Sequence, residues 1–199
     1  MAARRVKRAV ARLVLWLGGW RPDGAAPREP RYVLIAAPHT SNWDFIWVLA
    51  FAWALEVDIR WVGKEEMFRW PFGGLMRWLG GIPVRRKARA NQVEQLAERL
   101  RAAEALVLVV PVEGTRAWVP RWKSGFYHVA RAAGVPIVLG FLDYGRKLGG
   151  FGPAIRPSGD VRRDMERIRT FYRDVQGKYP QCTGRILLAE ETDDAEPAA

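Results

Sequence analysis

The sequence predicts an α/β fold, a single-domain sandwich with a largely parallel central sheet flanked by helices. One observation is that short apolar runs alternate along the chain with segments of helical periodicity, as in a parallel sheet with helical crossovers. Another is that residues 106–112 and 137–142 are apolar at nearly every position, as expected for strands covered on both faces. A chain of 199 residues is long enough to bury the core of one such domain.

The first predicted element is an amphipathic helix at residues 4–17, which precedes the sheet. Its apolar positions fall on one face at helical spacing, and Arg and Lys occupy much of the remainder. The apolar positions are Val6, Val10, Leu13, Val14 and Leu17. We expect residues 1–20 to form a basic amphipathic helix lying on a membrane surface. The alternative is a terminal helix packed on the domain with a solvated basic face.

Residues 30–189 form the predicted globular domain, after a connector rich in Pro and Gly at residues 21–30. Strands are predicted at residues 32–37, 59–62, 82–84, 106–112, 137–142 and 186–189. Helices are predicted at residues 43–55, 71–79, 91–103, 124–133 and 161–176. The acidic tail at residues 190–199 is expected to be disordered because it has few apolar side chains to bury.

The net charge of +11 predicts an acidic partner, which could be nucleic acid, an anionic membrane surface or a phosphorylated substrate. The ten Trp residues favour the membrane, since Trp is enriched at membrane–water interfaces. A second basic and aromatic segment at residues 69–78 is predicted either to extend this docking face or to line a ligand pocket. An ordinary packed helix with solvated Arg side chains is the alternative for that segment. No RNA-binding sheet motif is present in the sequence, so we expect no nucleic acid partner.

The sequence has no apolar run of the ~18–20 residues that a spanning helix needs, so we expect peripheral attachment. Cys182 is the single cysteine, which excludes an internal disulfide and a cysteine metal cluster and fits a reducing cytosol. The only histidines are His39 and His128, too few for a histidine-rich metal site. We therefore predict no metal, and a location on the cytoplasmic face of the membrane.

The first candidate site follows the predicted strand at residues 32–37. His39 and Asp44 lie five residues apart, and a neutral imidazole beside a carboxylate can take a proton from a hydroxyl near pH 7. No nucleophile accompanies the pair, which indicates that the hydroxyl belongs to a substrate. The alternative is that residues 41–44 form an S-x-x-D helix start, in which Asp44 caps backbone N–H groups and His39 is an ordinary half-buried histidine.

The second candidate site follows the predicted strand at residues 106–112. Gly114 permits close backbone approach to a ligand, and Thr115 and Arg116 could bind a phosphate. Glu113 would orient Arg116 or a substrate hydroxyl. The alternative is an ordinary turn with a surface ion pair.

Two further segments complete the pattern. Residues 80–86 contain the short predicted strand and, after it, Arg85 and Arg86, whose charges would attract a phosphate unless they simply mark a solvated face. Residues 135–138 are apolar and are expected to belong to the core rather than to a site.

Together these segments resemble the glycerolipid acyltransferase family, the lysophosphatidate (1-acylglycerol-3-phosphate) acyltransferases and their relatives. The resemblance covers about residues 30–145 and keeps the order of the family's motifs. The matching positions are His39 and Asp44 for H-x-x-x-x-D, residues 80–86 for G-x-I-x-V-x-R, residues 113–116 for E-G-T-R and residues 135–138 for V-P-I-V.

The resemblance implies an enzyme of phospholipid biosynthesis that transfers a fatty acyl group from acyl-CoA or acyl-carrier protein to the hydroxyl of a lysophospholipid, such as 1-acylglycerol-3-phosphate. It implies His39 as the base and Asp44 as the group that holds it. The implied substrate-binding residues are Arg86, Glu113, Gly114, Thr115 and Arg116. No cofactor beyond the acyl donor is implied. The rival hypothesis is a non-enzymatic basic protein that binds membrane surfaces or nucleic acid, which explains the charge but not the order of the motifs.

Overall fold

A computed structural model describes residues 2–84 and 89–193 of the chain. The strands are β1 (Arg21–Asp23), β2 (Arg31–Ala37), β3 (Ile59–Lys64), β4 (Gly81–Val84), β5 (Leu106–Pro111), β6 (Ile137–Asp143) and β7 (Leu148–Ile155). The helices are α1 (Ala2–Leu17), α2 (Trp43–Ala54), α3 (Gly73–Trp78), α4 (Arg89–Ala102), α5 (Gly125–Ala133), α6 (Val161–Tyr172) and α7 (Glu190–Asp193).

The strands form one sheet in the order β1-β7-β6-β2-β5-β3-β4. Neighbouring strands are parallel except for the antiparallel pair of β6 and β7. The predicted α/β fold, with a largely parallel sheet, flanking helices and a preceding N-terminal helix, is therefore confirmed.

Helices cover both faces of the sheet, which is why the central strands are apolar at successive positions. In β2, Val33 and Ile35 pack into one cluster with side chains of α4, α5 and α6, whereas Tyr32 and Leu34 pack into another beneath α2. A strand buried on both faces gains hydrophobic stabilisation from every residue, so it shows no polar alternation.

The structure contains two strands that the sequence analysis did not predict. β1 lies within the predicted connector, and its Arg-Pro-Asp sequence has no apolar alternation to indicate a strand. β7 is rich in glycine, a residue that weakens strands and usually marks loops. Close packing requires those glycines, because a Cβ at Gly150 would collide with the carbonyl oxygen of Asp23 in the paired β1.

The predicted strand at residues 186–189 was wrong. This segment joins no sheet, since residues 186–188 are irregular and Ala189 lies in a turn, and its residues instead hydrogen bond to the loop before α5. The backbone N–H of Trp122 donates to the carbonyl of Leu187 at 2.8 Å, and the backbone N–H of Arg185 donates to that of Val119 at 3.1 Å. Its apolar character serves burial, since Leu188 is fully buried in the core.

The expectation of disorder also failed for the first four residues of the acidic tail, which form α7. Glu191 is buried there because Arg169 donates to its Oε1 at 2.6 Å and the Leu188 N–H donates to its Oε2 at 2.8 Å. These partners compensate the desolvation of the carboxylate. Residues 194–199 lie outside the described part of the chain.

The orientation of α1 bears on both of its predicted interpretations. The helix packs on α2 through Ala11 and Leu15, which are buried, while much of the predicted apolar face remains exposed to solvent. The large apolar side chains that α1 exposes are those of Val6, Val10, Leu13, Trp16 and Leu17. Within residues 2–84 and 89–193, no helix combines the length and apolar character needed to traverse a bilayer.

Candidate active site

The carboxyl ends of β2 and β5 lie side by side, since Ala36 pairs with Pro111 in the parallel register. The loop that leads from β2 into α2 therefore lies next to the loop after β5. Ligands of open α/β sheets bind at this edge. The two sequence-predicted loops are thus brought together by strand register.

His39 and Asp44 are in contact at the start of α2, with His39 Nδ1 3.2 Å from Asp44 Oδ2. Asp44 is 2 % exposed, and its Oδ2 also accepts the backbone N–H groups of Thr40 and Ser41, each at 2.9 Å. Its Oδ1 accepts the hydroxyl of Tyr144 at 2.6 Å. The capping and catalytic interpretations of Asp44 are therefore compatible, because one carboxylate orders the turn and holds the imidazole.

Glu113 stabilises the loop that carries His39. It is 3 % exposed, and its Oε1 accepts the His39 backbone N–H at 3.1 Å. Its Oε2 is buried without a hydrogen-bond partner, and burial raises the pKa of this carboxyl above its ordinary value. The expected contact between Glu113 and Arg116 is absent, because the Nε of Arg116 donates instead to Asn42 Oδ1 at 2.6 Å.

We expect Glu113→Gln to stabilise the protein more as the pH rises above about 4.5, the usual pKa of glutamic acid. A folded-state pKa above the unfolded-state value means that stability is lost as the pH rises through the folded pKa. The glutamine keeps an acceptor for the His39 N–H and cannot ionise. Thermal unfolding from pH 4 to pH 8 measures the effect, with each 1 kcal/mol worth about 2–4 °C in a chain of this size. A stability difference that shrinks as pH rises would contradict this assignment.

Gly114, Thr115 and Arg116 extend the site from the end of β5. A Cβ on Gly114 would lie 2.5 Å from Lys123 Nζ, so the glycine allows the lysine to lie across the loop. Gly114 also has a left-handed backbone, with a φ of +66°. Lys123 is a functional candidate that the sequence analysis missed, because a lone lysine before a helix forms no pattern of its own.

These side chains surround a cavity of about 1010 Å³. Its polar wall includes His39, Asp44, Gly114, Thr115, Arg116, Lys123, Ser124 and His128. An apolar section lies between α2 and the sheet and includes Phe45, Val48, Ala52, Ile59 and Trp61. The cavity thus offers a base, cations and apolar surface to one ligand.

Two predicted segments remain, residues 80–86 and residues 135–138. Arg86 lies outside the described residues, beyond the end of β4 at Val84. Residues 135–138 lead into β6, where Ile137 and Val138 are fully buried, in agreement with their expected place in the core.

Several backbone N–H groups near the pair already have acceptors within the two loops. Those of Thr40 and Ser41 donate to Asp44, and that of His39 donates to Glu113. That of Gly114 donates to the carbonyl of Pro111 at 3.1 Å. These four N–H groups therefore stabilise the two loops and are not free to donate to a ligand oxygen.

The sequence of the chain is similar to those of known proteins. A family model described as Acyltransferase matches residues 24–138. A 1-acyl-sn-glycerol-3-phosphate acyltransferase from Haemophilus influenzae is 32 % identical over 133 residues, which cover 61 % of this chain and 53 % of that protein. The chain thus spans about half the length of this curated relative.

The fold is also similar to a solved structure, the 1-acyl-sn-glycerophosphate (LPA) acyltransferase PlsC from Thermotoga maritima. The TM-score is 0.60 at 16 % identity, and the match covers 88 % of this chain and 80 % of that one. At this identity the similarity supports the fold alone. Because the family model spans more than half of the sequence, however, this protein belongs to the acyltransferase family.

Proposed function

We propose that the protein transfers a fatty acyl group from a thioester donor, acyl-CoA or acyl-carrier protein, to the hydroxyl of a lysophospholipid such as 1-acylglycerol-3-phosphate. Such a reaction belongs to phospholipid biosynthesis. The observation that carries the proposal is the His39–Asp44 contact in the wall of a cavity that has both cationic and apolar sections.

In the proposed reaction, His39 Nε2 accepts the proton of the acceptor hydroxyl while Asp44 stabilises the imidazolium that forms. The hydroxyl oxygen attacks the thioester carbonyl and gives a tetrahedral oxyanion. Collapse of the oxyanion breaks the carbon–sulfur bond, and the departing thiolate takes the proton back from His39. The products are the ester and a free thiol, and no acyl-enzyme is formed.

The phosphate of the acceptor is proposed to bind Arg116 and Lys123, with Thr115 assisting. Arg86 remains a proposed member of this group. Guanidinium and ammonium groups bind phosphate through charge-assisted hydrogen bonds. The apolar section beneath α2 would take a hydrocarbon chain, because burying it there removes apolar surface from water. Gly114 and Glu113 would act indirectly, by leaving room for Lys123 and by holding the His39 backbone.

The direct test is an acyl-transfer assay with labelled acyl-CoA and acyl-carrier protein against a panel of lysolipids, read by mass spectrometry. We expect an acylated product with at least one phosphorylated lysolipid. Absence of product from every donor and acceptor pair would contradict the proposal.

The enzyme is further proposed to act as a peripheral protein on the cytoplasmic face of an anionic membrane. Support comes from the exposed face of α1, on which Trp16 is 74 % and Leu17 is 70 % exposed. Trp70 and Trp78, at 93 % and 58 % exposed, form a second apolar region. Lys7 connects the two regions, since its Nζ lies 4.4 Å from the ring centroid of Trp78.

We expect Leu13→Gln combined with Leu17→Gln to weaken binding to phosphatidylglycerol-containing vesicles by about tenfold or more. Each exposed leucine would contribute favourable free energy of binding when its side chain is buried in lipid. Vesicle sedimentation measures the change. The substitutions spare Ala11 and Leu15, which pack on the domain, so they test docking more cleanly than removal of the whole helix. Unchanged thermal unfolding is the control, and unchanged partitioning would refute membrane docking through α1.

A further inference from the structure

We propose that Tyr144 is a positioning residue for the His39–Asp44 pair, an inference that rests on the proposed function. Its hydroxyl donates to Asp44 Oδ1 at 2.6 Å, on the opposite carboxylate oxygen from the one that contacts His39. Tyr144 follows β6 and is 100 residues from Asp44 in the sequence. It therefore brings a third segment of the chain to a site otherwise built from the loops after β2 and β5.

The hydroxyl of Tyr144 is fixed as a donor toward Asp44. Burial and the neighbouring Asp44 carboxylate raise the pKa of Tyr144, so the phenol stays protonated at physiological pH. The available acceptor is Asp44 Oδ1.

The ring of Tyr144 is held as firmly as its hydroxyl. It packs edge-on against Trp20, with ring centroids 4.9 Å apart, and Lys147 Nζ lies 5.8 Å from its ring centroid. Its backbone N–H donates to the carbonyl of Gln176 at 2.9 Å. A donor with so little freedom constrains the group to which it is bonded.

The hydrogen bond from Tyr144 fixes the orientation of the Asp44 carboxylate. Oδ2 accepts the N–H groups of Thr40 and Ser41 as well as facing His39 Nδ1, whereas Oδ1 is bonded to Tyr144. Without the phenol, the buried Oδ1 would lose its partner, and the carboxylate would turn to share the backbone donors between its two oxygens. Oδ2 would then move off His39 Nδ1. His39 would lose the contact that keeps its proton on Nδ1 and leaves Nε2 free to act as a base.

Tyr144→Phe tests this role because it removes the hydroxyl and keeps the ring that packs on Trp20. The chain offers a matched control in Tyr127→Phe. Tyr127 also donates to a buried aspartate, Asp164, at 2.8 Å, but between α5 and α6 and away from the pair. Both variants lose one hydroxyl that is bonded to a buried carboxylate.

The readout is the tautomer of His39, measured by nitrogen NMR on protein labelled at histidine. The chain has two histidines, so His39→Ala assigns both signals. We expect Tyr144→Phe to lower the fraction of His39 protonated on Nδ1 and to lower kcat about tenfold, with KM for donor and acceptor little changed. Tyr127→Phe should leave both the tautomer and kcat as in the wild type.

A wild-type tautomer and kcat in Tyr144→Phe would overturn the proposal, as would equal effects in the two tyrosine variants. The tautomer measurement needs no turnover. If the wild-type protein transferred no acyl group, the proposed function would fail while the NMR comparison would still decide whether Tyr144 positions the pair.

Discussion

Replacing His39 with alanine is expected to reduce acyl transfer by about 10²–10⁴-fold, the usual contribution of a positioned general base. The loss should appear in kcat, because proton abstraction assists only the transition state. The fold should persist. His39 lies in the cavity wall with a side chain that is 20 % exposed, and it belongs to none of the three hydrophobic clusters among the described residues.

The other histidine supplies the control. His128 also lines the cavity, but its Nε2 lies 3.0 Å from Glu190, at the start of α7, instead of contacting Asp44. We expect His128→Ala to cause a much smaller loss of kcat than His39→Ala. Rates of acyl transfer at saturating donor and acceptor measure both variants, and circular dichroism checks their folding. Normal turnover in His39→Ala would rule out this residue as the base.

The parts of the fold and site that could be predicted are those encoded by local sequence. The apolar runs of β2, β5 and β6 indicate buried strands by themselves. His39 and Asp44 belong to one short turn, so their spacing alone suggested the contact that the structure contains. In each case the controlling interactions lie within a few residues.

What could not be predicted depends on contacts between distant segments. Tyr144 reaches Asp44 only because β6 pairs beside β2, and nothing around Tyr144 in the sequence marks it. Lys123 reaches Gly114 through the path of the loop between β5 and α5. β7 was missed for a related reason, since its glycines suggest a loop until the close approach of β1 explains them.

For Glu113, the sequence identified the residue but not its hydrogen-bond partner. Its motif singled it out, and the predicted partner was either Arg116 or a substrate hydroxyl. The structure gives Glu113 the His39 backbone N–H instead of Arg116. The carboxylate of Glu113 lies in the loop after β5, and the neighbouring loop after β2 presents the backbone N–H of His39 to it.

Arg116→Ala is expected to raise KM for a phosphorylated acceptor by about 10–100-fold, as befits one charge-assisted hydrogen bond to an anion. KM for the acyl donor should change little, because the proposed contact is with the acceptor phosphate. The guanidinium is exposed at the cavity, with its Nε bonded to Asn42, which leaves its other nitrogens for a ligand. Lys123 remains in the variant, so binding should weaken without being abolished.

Arg121→Ala is the matched control, since Arg121 belongs to the same loop, is exposed and lies outside the cavity lining. Both variants lower the net charge equally, so a general loss of electrostatic attraction would affect them alike. Steady-state kinetics with a phosphorylated and an uncharged lysolipid separate the effects. Selective weakening of the phosphorylated acceptor in Arg116→Ala alone places the phosphate at this side chain, whereas equal losses for donor and acceptor would remove Arg116 from the phosphate site.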